Sequence, residues 1–346
     1  MKKSGFAAAA AGIILFVFLF VFSEDFIKGL NIGLLNCVRI VIPSLFPFLI
    51  ASSLVGVGEL PARIKRLVDP ITEFLFHLPA ECLPAIILGQ LGGYLSGAKA
   101  AESLYSSGAI SRSQAGRLLL FCVNSGIGFS VNAVGNAMLG SREAGKVLLV
   151  SLCISSAILG ALSRFFSEGE QESKVLCKNN PTLSGAVVNS VASSSSAMLN
   201  ACAFVALFSG FGCVADSYIK SECIRLVLSC LMEVTKGCID LSGRVSLPVI
   251  AAVCAFGGVC IHLQIFSLSQ GIERKPLRFY AFRLLHAALS YVICLLILYF
   301  HPIEKQVFLS VYENAAVFSF SAPAAVSLLF LSVLLILDLD NSRKIC

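Results

Sequence analysis

The chain has no tryptophan and little charge: Asp, Glu, Lys and Arg make up 13% of its 346 residues, where an ordinary soluble domain carries about a quarter. An ordinary soluble globule is excluded. Catalytic signatures are also missing. No CxxC pair occurs, so neither a zinc site nor a dithiol redox motif is supported. HExxH and GxSxG are absent, and no Asp/His pair is placed for hydrolysis. The string Gly92-Gly-Tyr-Leu-Ser-Gly97-Ala98-Lys99 approaches a phosphate loop. Ala98 separates Gly97 from Lys99, and Ala100 stands where a Mg²⁺-holding Ser/Thr is needed. The net charge of +6 is spread over short loops without a basic cluster or interleaved aromatics, so no nucleic-acid partner is expected. Neither an enzyme nor a cofactor is expected; a coupling H⁺ or Na⁺ stays open.

What is present is apolar text in blocks. Uncharged runs lie at 5–22, 40–58, 82–98, 118–141, 147–163, 182–215, 245–272, 284–303 and 314–337. A bilayer core of roughly 30 Å needs helices of about 20 apolar residues. The expectation is an all-α polytopic membrane protein of about eight to ten transmembrane segments, with the lipid bilayer as a partner. Most of the fourteen cysteines, Cys122, Cys153, Cys202, Cys254 and Cys294 among them, fall inside these runs, where a thiol acts as a small hydrophobe.

Lys2 and Lys3 precede a run too long for a signal-peptide core that reaches Ser23-Glu24-Asp25 without an A-x-A site, so residues 1–28 are expected to be an uncleaved first helix. With Arg63, Lys65 and Arg66 these lysines favour a cytoplasmic amino terminus, against which Arg274, Lys275 and Arg278 count.

Residues 80–120 resemble 245–286. Leu83-Pro84 matches Leu247-Pro248, Gly92-Gly93 matches Gly257-Gly258, and Ala115-Gly116-Arg117-Leu118-Leu119 matches Ala281-Phe282-Arg283-Leu284-Leu285, at offsets of 164, 165 and 166. A polar stretch at 167–181 divides the chain, so a first repeat at 29–166 and a second at 182–346 are expected. Long helices at 30–58 and 182–213 would open the two halves. If the Gly-interrupted segment of each half turns back inside the bilayer, each half crosses three times and the second is inverted, as in many secondary transporters.

The polar interruptions are the candidate site. LGQLGGYLSGAK brings Gln90, Gly93, Tyr94, Ser96 and Lys99 into an apolar run. Three glycines cost helix stability, and irregular backbone is tolerated at membrane depth only inside protein or beside a watery cavity. Freed N–H groups at a half-helix start would favour an anion; the other reading is that the glycines permit close packing. Gly257, Gly258, His262 and Gln264 form the matching interruption, Gln264 aligning on Lys99, whereas His286 has no such support. Asn124 and Ser125 interrupt another run, with Asn132 and Asn136 spaced to share a helical face with Asn124. Glu233 and Thr235 stand before Gly237, where Glu233 would bind a proton, a cation or a substrate hydroxyl, or else pair with Lys236.

Taken together, Pro43-Ser-Leu-Phe-Pro47-Phe, Gly93-Tyr94-x-x-Gly97-Ala98-Lys99, Phe121-Cys-x-Asn124-Ser125-Gly126, Glu233-Val-Thr235-x-Gly237 and Phe256-Gly-Gly-x-x-x-His262-x-Gln264 resemble the YlbJ family of sporulation integral membrane proteins, also called stage V sporulation protein VV, over nearly the whole chain. The resemblance implies nucleoside-recognition (Gate) domains and a plan similar to concentrative nucleoside transporters. It also implies the mother-cell-derived outer forespore membrane of an endospore-forming bacterium, with dipicolinic acid as cargo. That small-molecule substrate would meet half-helix starts, Lys99 and His262, with Gln90, Asn124 and Thr235 bonding its oxygens. Transporters of this plan can be homo-oligomers. Leu95 and Ile127 stand where the family often has proline, and Lys236 where a neutral residue is common. A nucleoside transporter and a non-transporting scaffold or gating subunit remain alternatives.

Overall fold

A computed structural model describes residues 2–55, 60–166, 182–272 and 275–303. Among the described residues the secondary structure is helical, without strand. The apolar run at 314–337, the 167–181 linker and the end of the second half lie outside the described residues.

The first helices are α1 (Lys2–Val21), α2 (Ser23–Asn36) and α3 (Ile42–Val55), with a π-helical stretch at Cys37–Val41 between α2 and α3. Pro43 has no N–H to offer the preceding turn, which accounts for the wider winding there. Next come α4 (Ala62–Phe76), α5 (Leu83–Gly92), α6 (Tyr94–Ser106) and α7 (Arg112–Phe121). A π-helix at Gly128–Met138 and α8 (Arg142–Ser163) complete the first half. The second half has α9 (Leu183–Tyr218), α10 (Glu222–Met232), α11 (Val234–Leu241), α12 (Leu247–Phe256), α13 (Gly258–Leu268) and α14 (Pro276–Phe300). Starts are written locally: Ser111 and Gln114 form a reciprocal capping box on α7, Ser141, Thr182 and Ser221 accept from the first turns of α8, α9 and α10, and proline opens α5, α12 and α14.

Five helical stretches are long and apolar enough to cross a membrane: Ser23–Val55, Arg142–Phe166, Leu183–Tyr218, Leu247–Leu268 and Pro276–Phe300. A sixth is possible by length and composition if α4 and the Ala80–Gly92 segment, bent by 85°, count as one. A helical membrane protein is what this composition builds. The opening helix of the second half runs five residues beyond the expected 182–213, and that of the first half starts seven before 30.

Two long helices form one wall. Along α2 from Phe22 to Cys37 the partners on α9 run backwards from Tyr218 to Cys202, so the pair is antiparallel. Gly29 and Gly33 make this approach possible: a Cβ on Gly29 would lie 2.6 Å from Cys213 Cβ, and one on Gly33 2.7 Å from Ala206 Cα. This is the small-residue seam by which helices associate where no hydrophobic gradient drives them together. α8 packs on the π-helix, α14 packs on α12 and α8, and α3 packs on α5 and α6.

The two segments that match at offsets of 164 to 166 fold differently. A Cβ on Gly97 would lie 2.9 Å from Gly89 Cα, whereas eight residues along a straight helix rise about 12 Å. Therefore α5 and α6 fold back on each other as a hairpin whose tip is Gly93. The segment expected to mirror it, α12 and α13, instead runs on as one 22-residue span interrupted at Gly257. The second hairpin is formed elsewhere, by α10 and α11: a Cβ on Gly237 would lie 2.8 Å from Cys230 Cα, placing the turn at Glu233.

Candidate functional site

Hairpin one is built around a carbonyl. The Cys122 oxygen sits between its arms so closely that a Cβ on either Gly89 or Gly97 would overlap it. The Cys122 thiol donates to the Gly97 carbonyl at 3.7 Å. At the tip, Gly93 has φ +109°, a backbone region that favours glycine, and its carbonyl accepts from the N–H groups of Ser96 and Gly97 at 3.0 and 3.2 Å. The Ser96 hydroxyl turns back to the Gly92 carbonyl at 3.2 Å. The tip rests on Gly126, where a Cβ would lie 2.5 Å from Gly93 N and 2.6 Å from Leu91 O.

Cys122 belongs to the first interruption, residues 122–127, between α7 and the π-helix. A closed polar chain holds it. The Gln90 amide donates to Ser156 Oγ at 2.5 Å and accepts from Asn124 Nδ2 at 2.7 Å, and Asn124 Oδ1 accepts from the Ser125 N–H at 2.8 Å. Ser156 donates to the Phe121 carbonyl at 2.5 Å, and the Ser125 and Ser130 hydroxyls lie 2.7 Å apart. Gln90, Asn124 and Ser125 therefore satisfy the polar groups that an interrupted helix exposes. Asn132 and Asn136 do not join Asn124. Asn124 lies before the π-helix begins, and within that helix Ser130, Val131, Val134 and Gly135 face inward, leaving both asparagines exposed.

Arg283 of α14 completes this interruption. It is buried, and its guanidinium donates to Val123 O at 2.7 Å and to Leu120 O at 2.5 Å. Arg117, its match in the sequence comparison, likewise donates to Phe76 O and His77 O at the end of α4. Sequence reasoning used these arginines to mark a repeat and missed their work; a charge at fixed spacing inside apolar runs was the available signal. Arg283→Leu is expected to lower stability in detergent by about 1–3 kcal/mol for each stranded carbonyl. Arg283→Lys recovers only part, because an ammonium lacks the planar fork; thermal unfolding of the three proteins measures both effects.

At hairpin two the buried carboxylate of Glu233 caps α11, accepting from Thr235 N at 2.9 Å and Lys236 N at 2.7 Å. The alternative pairing of Glu233 with the Lys236 side chain is not made: that ammonium binds Asp216 at 2.7 Å and Asp240 at 2.9 Å. The tip rests on the second interruption, since a Cβ on Gly258 would lie 3.1 Å from Met232 O and 3.2 Å from Glu233 N. Gly257 and Gly258 both have positive φ, +86° and +77°. Tyr94 joins the two assemblies: its hydroxyl donates to the Cys254 carbonyl, and its ring lies 3.3 Å from where a Gly257 Cβ would be.

The remaining candidates stand off these tips. Lys99 lies more than a turn along α6, its ammonium 3.2 Å from Glu102. His262 is buried among Phe256, Phe279 and Tyr280, with Nε2 2.8 Å from the Phe256 carbonyl. Gln264 donates to Cys260 Sγ at 3.1 Å. What the fold gathers is four helix starts, those of α6, α11, α13 and the π-helix, linked tip to interruption. Glu233 caps the start of α11; glycine precedes α6 and α13, with no side-chain cap on either or on the π-helix. Each start carries partial positive charge beside the partial negative charge of the helix that ends at the same break, α5, α10, α12 or α7. Among the described residues no group of three or more His, Cys, Asp or Glu is arranged to hold a metal ion. Comparisons with protein-family models, with curated proteins and with solved structures found no match.

Proposed function

We propose that this chain is a secondary carrier or facilitator of a small polar solute. The observation that carries this reading is the meeting of two hairpin tips and two helix interruptions inside the protein. Irregular backbone at membrane depth is tolerated only where it is buried in protein or lines a watery cavity, and transporters place their sites at such discontinuities. The same elements support two inverted repeats in a different register from the sequence match. Gly93 and Gly97 fall on Glu233 and Gly237 at an offset of 140, hairpin on hairpin. Each hairpin is then followed by an interrupted helix and a long helix, α8 or α14.

An anionic cargo is favoured by the helix starts of α6, α13 and the π-helix, which lack side-chain caps. Dipicolinic acid at the outer forespore membrane rests on the sequence resemblance alone. In this reading Lys99, beside Glu102, and His262, within an aromatic shell, are not the first anion ligands. The test is uptake of radiolabelled dipicolinate into proteoliposomes, with nucleosides as competitors. Saturable uptake that nucleosides leave unchanged is expected. Lys99→Ala should retain uptake to within roughly threefold, less than about 1 kcal/mol; complete loss would return the anion site to Lys99. Folded protein that moves neither solute sinks the carrier and leaves the scaffold.

A further inference from the structure

Helix α4 is unlike the others. Its exposed apolar residues Ile64, Leu67, Ile71, Phe74 and Leu75 recur at helical spacing, so they form one stripe. Leu67 and Phe74 are 71% and 72% exposed. Thr72, Phe76 and Asp69 lie on the arc turned toward the protein, and Arg63 and Arg66 stand exposed on the remaining arc.

The attitude of α4 is fixed. It meets the Ala80–Gly92 segment at 85°. Asp69 Oδ1 accepts from Ala80 N at 2.8 Å, Lys65 reaches Glu81 at 2.5 Å, and Arg164 donates to Phe74 O at 3.0 Å. His77 ends the helix in the left-handed conformation at φ 53°, with Arg117 bonding its carbonyl. Every one of these ties leaves the apolar stripe bare. Lys65 is committed to Glu81, so the free-standing positive charges are those of Arg63 and Arg66, beside the stripe.

We propose that α4 lies in the plane of the membrane interface, its stripe sunk among acyl chains and Arg63 and Arg66 holding the headgroups of anionic phospholipids. A strongly amphipathic helix with basic residues bordering its apolar face has this geometry, and juxtamembrane basic residues attract anionic leaflets. The right-angle turn sets α4 across the hairpin arm that follows it. The occupant is lipid because Arg63 and Arg66 outnumber Glu73, itself 2.7 Å from His77, on the arc beside the stripe, and that surplus of positive charge matches anionic headgroups.

The absence of tryptophan gives a clean probe. Leu67→Trp and Ile71→Trp, each in the full chain, would carry the sole indole, read in vesicles of phosphatidylglycerol and phosphatidylcholine. Both should emit at short wavelength and be quenched by acyl chains brominated near the headgroup, while Glu73→Trp is quenched by aqueous iodide. The two positions guard against one variant failing to fold. Short-wavelength emission that brominated lipid does not quench means that protein covers the stripe, a second copy or another stretch of this chain, and overturns the proposal. Iodide quenching at Leu67→Trp and Ile71→Trp means that the helix stands in water and overturns it equally. For the headgroups, native mass spectrometry should find phosphatidylglycerol retained over phosphatidylcholine, the preference falling at least roughly threefold in the Arg63→Gln/Arg66→Gln double variant. Equal retention removes the arginines from the proposal.

Discussion

Gly97→Val is expected to yield no monodisperse protein after solubilisation in a mild detergent, whereas Gly12→Val behaves as the parent. Overpacking usually costs about 1–3 kcal/mol, because a neighbouring side chain can swing away. At Gly97 the neighbour is the Cys122 carbonyl, held from two sides: Gly89 faces it from the other arm, and the interruption carrying it is tied by Asn124, Ser156 and Arg283. Nothing there can yield without opening the hairpin. The loss should therefore reach the whole stability of a typical domain, on the order of 5–15 kcal/mol. Gly12 has no atom within 4 Å of its would-be Cβ, which makes it the control. Size-exclusion profiles and thermal unfolding of both variants measure the difference. A Gly97→Val protein that elutes and melts like the parent would show that α5 and α6 do not clasp the first interruption.

That clasp also marks where the sequence stops being legible. Composition and block length sufficed for a helical membrane protein, because the bilayer demands long apolar helices whatever their order. The places of interruption were legible too, since paired glycines and polar residues inside apolar text are costly without a reason. The path after each interruption was not. Gly92-Gly93 and Gly257-Gly258 are the same dipeptide, yet one turns the chain back and the other lets it run on. The difference lies in Gly89 and Gly97, spaced to straddle a carbonyl contributed by residue 122, and no local pattern reveals that acceptor. Glu233 turns the chain without a glycine at the tip, its own carboxylate satisfying the new helix start. Gln90 and Asn124 were legible as misplaced polar residues but not as partners, 34 positions apart.

Glu233→Gln is expected to fold and to lose transport. Alanine at this N-cap removes both acceptors for Thr235 N and Lys236 N, at about 0.5–2 kcal/mol for an ordinary cap and more where burial denies water to the stranded N–H groups. Glutamine keeps one acceptor oxygen, so the hairpin tip should survive with a modest loss. What it removes is the charge, and among the residues at the two tips Glu233 is the one carboxylate. The neighbouring ammonium of Lys236 is already held by Asp216 and Asp240, so the Glu233 carboxylate is bonded by the N–H groups of Thr235 and Lys236 and by the Thr235 side chain, with no cation paired to it directly. If cargo or a coupling ion exchanges with that carboxylate's charge, uptake should fall at least roughly tenfold, about 1.4 kcal/mol, while the melting midpoint changes little. Should Glu233→Gln transport like the parent while Glu233→Ala loses both fold and flux, the carboxylate is a cap and nothing more. The search for the site would then pass to the helix starts of α6 and α13, where glycine supplies no side-chain cap.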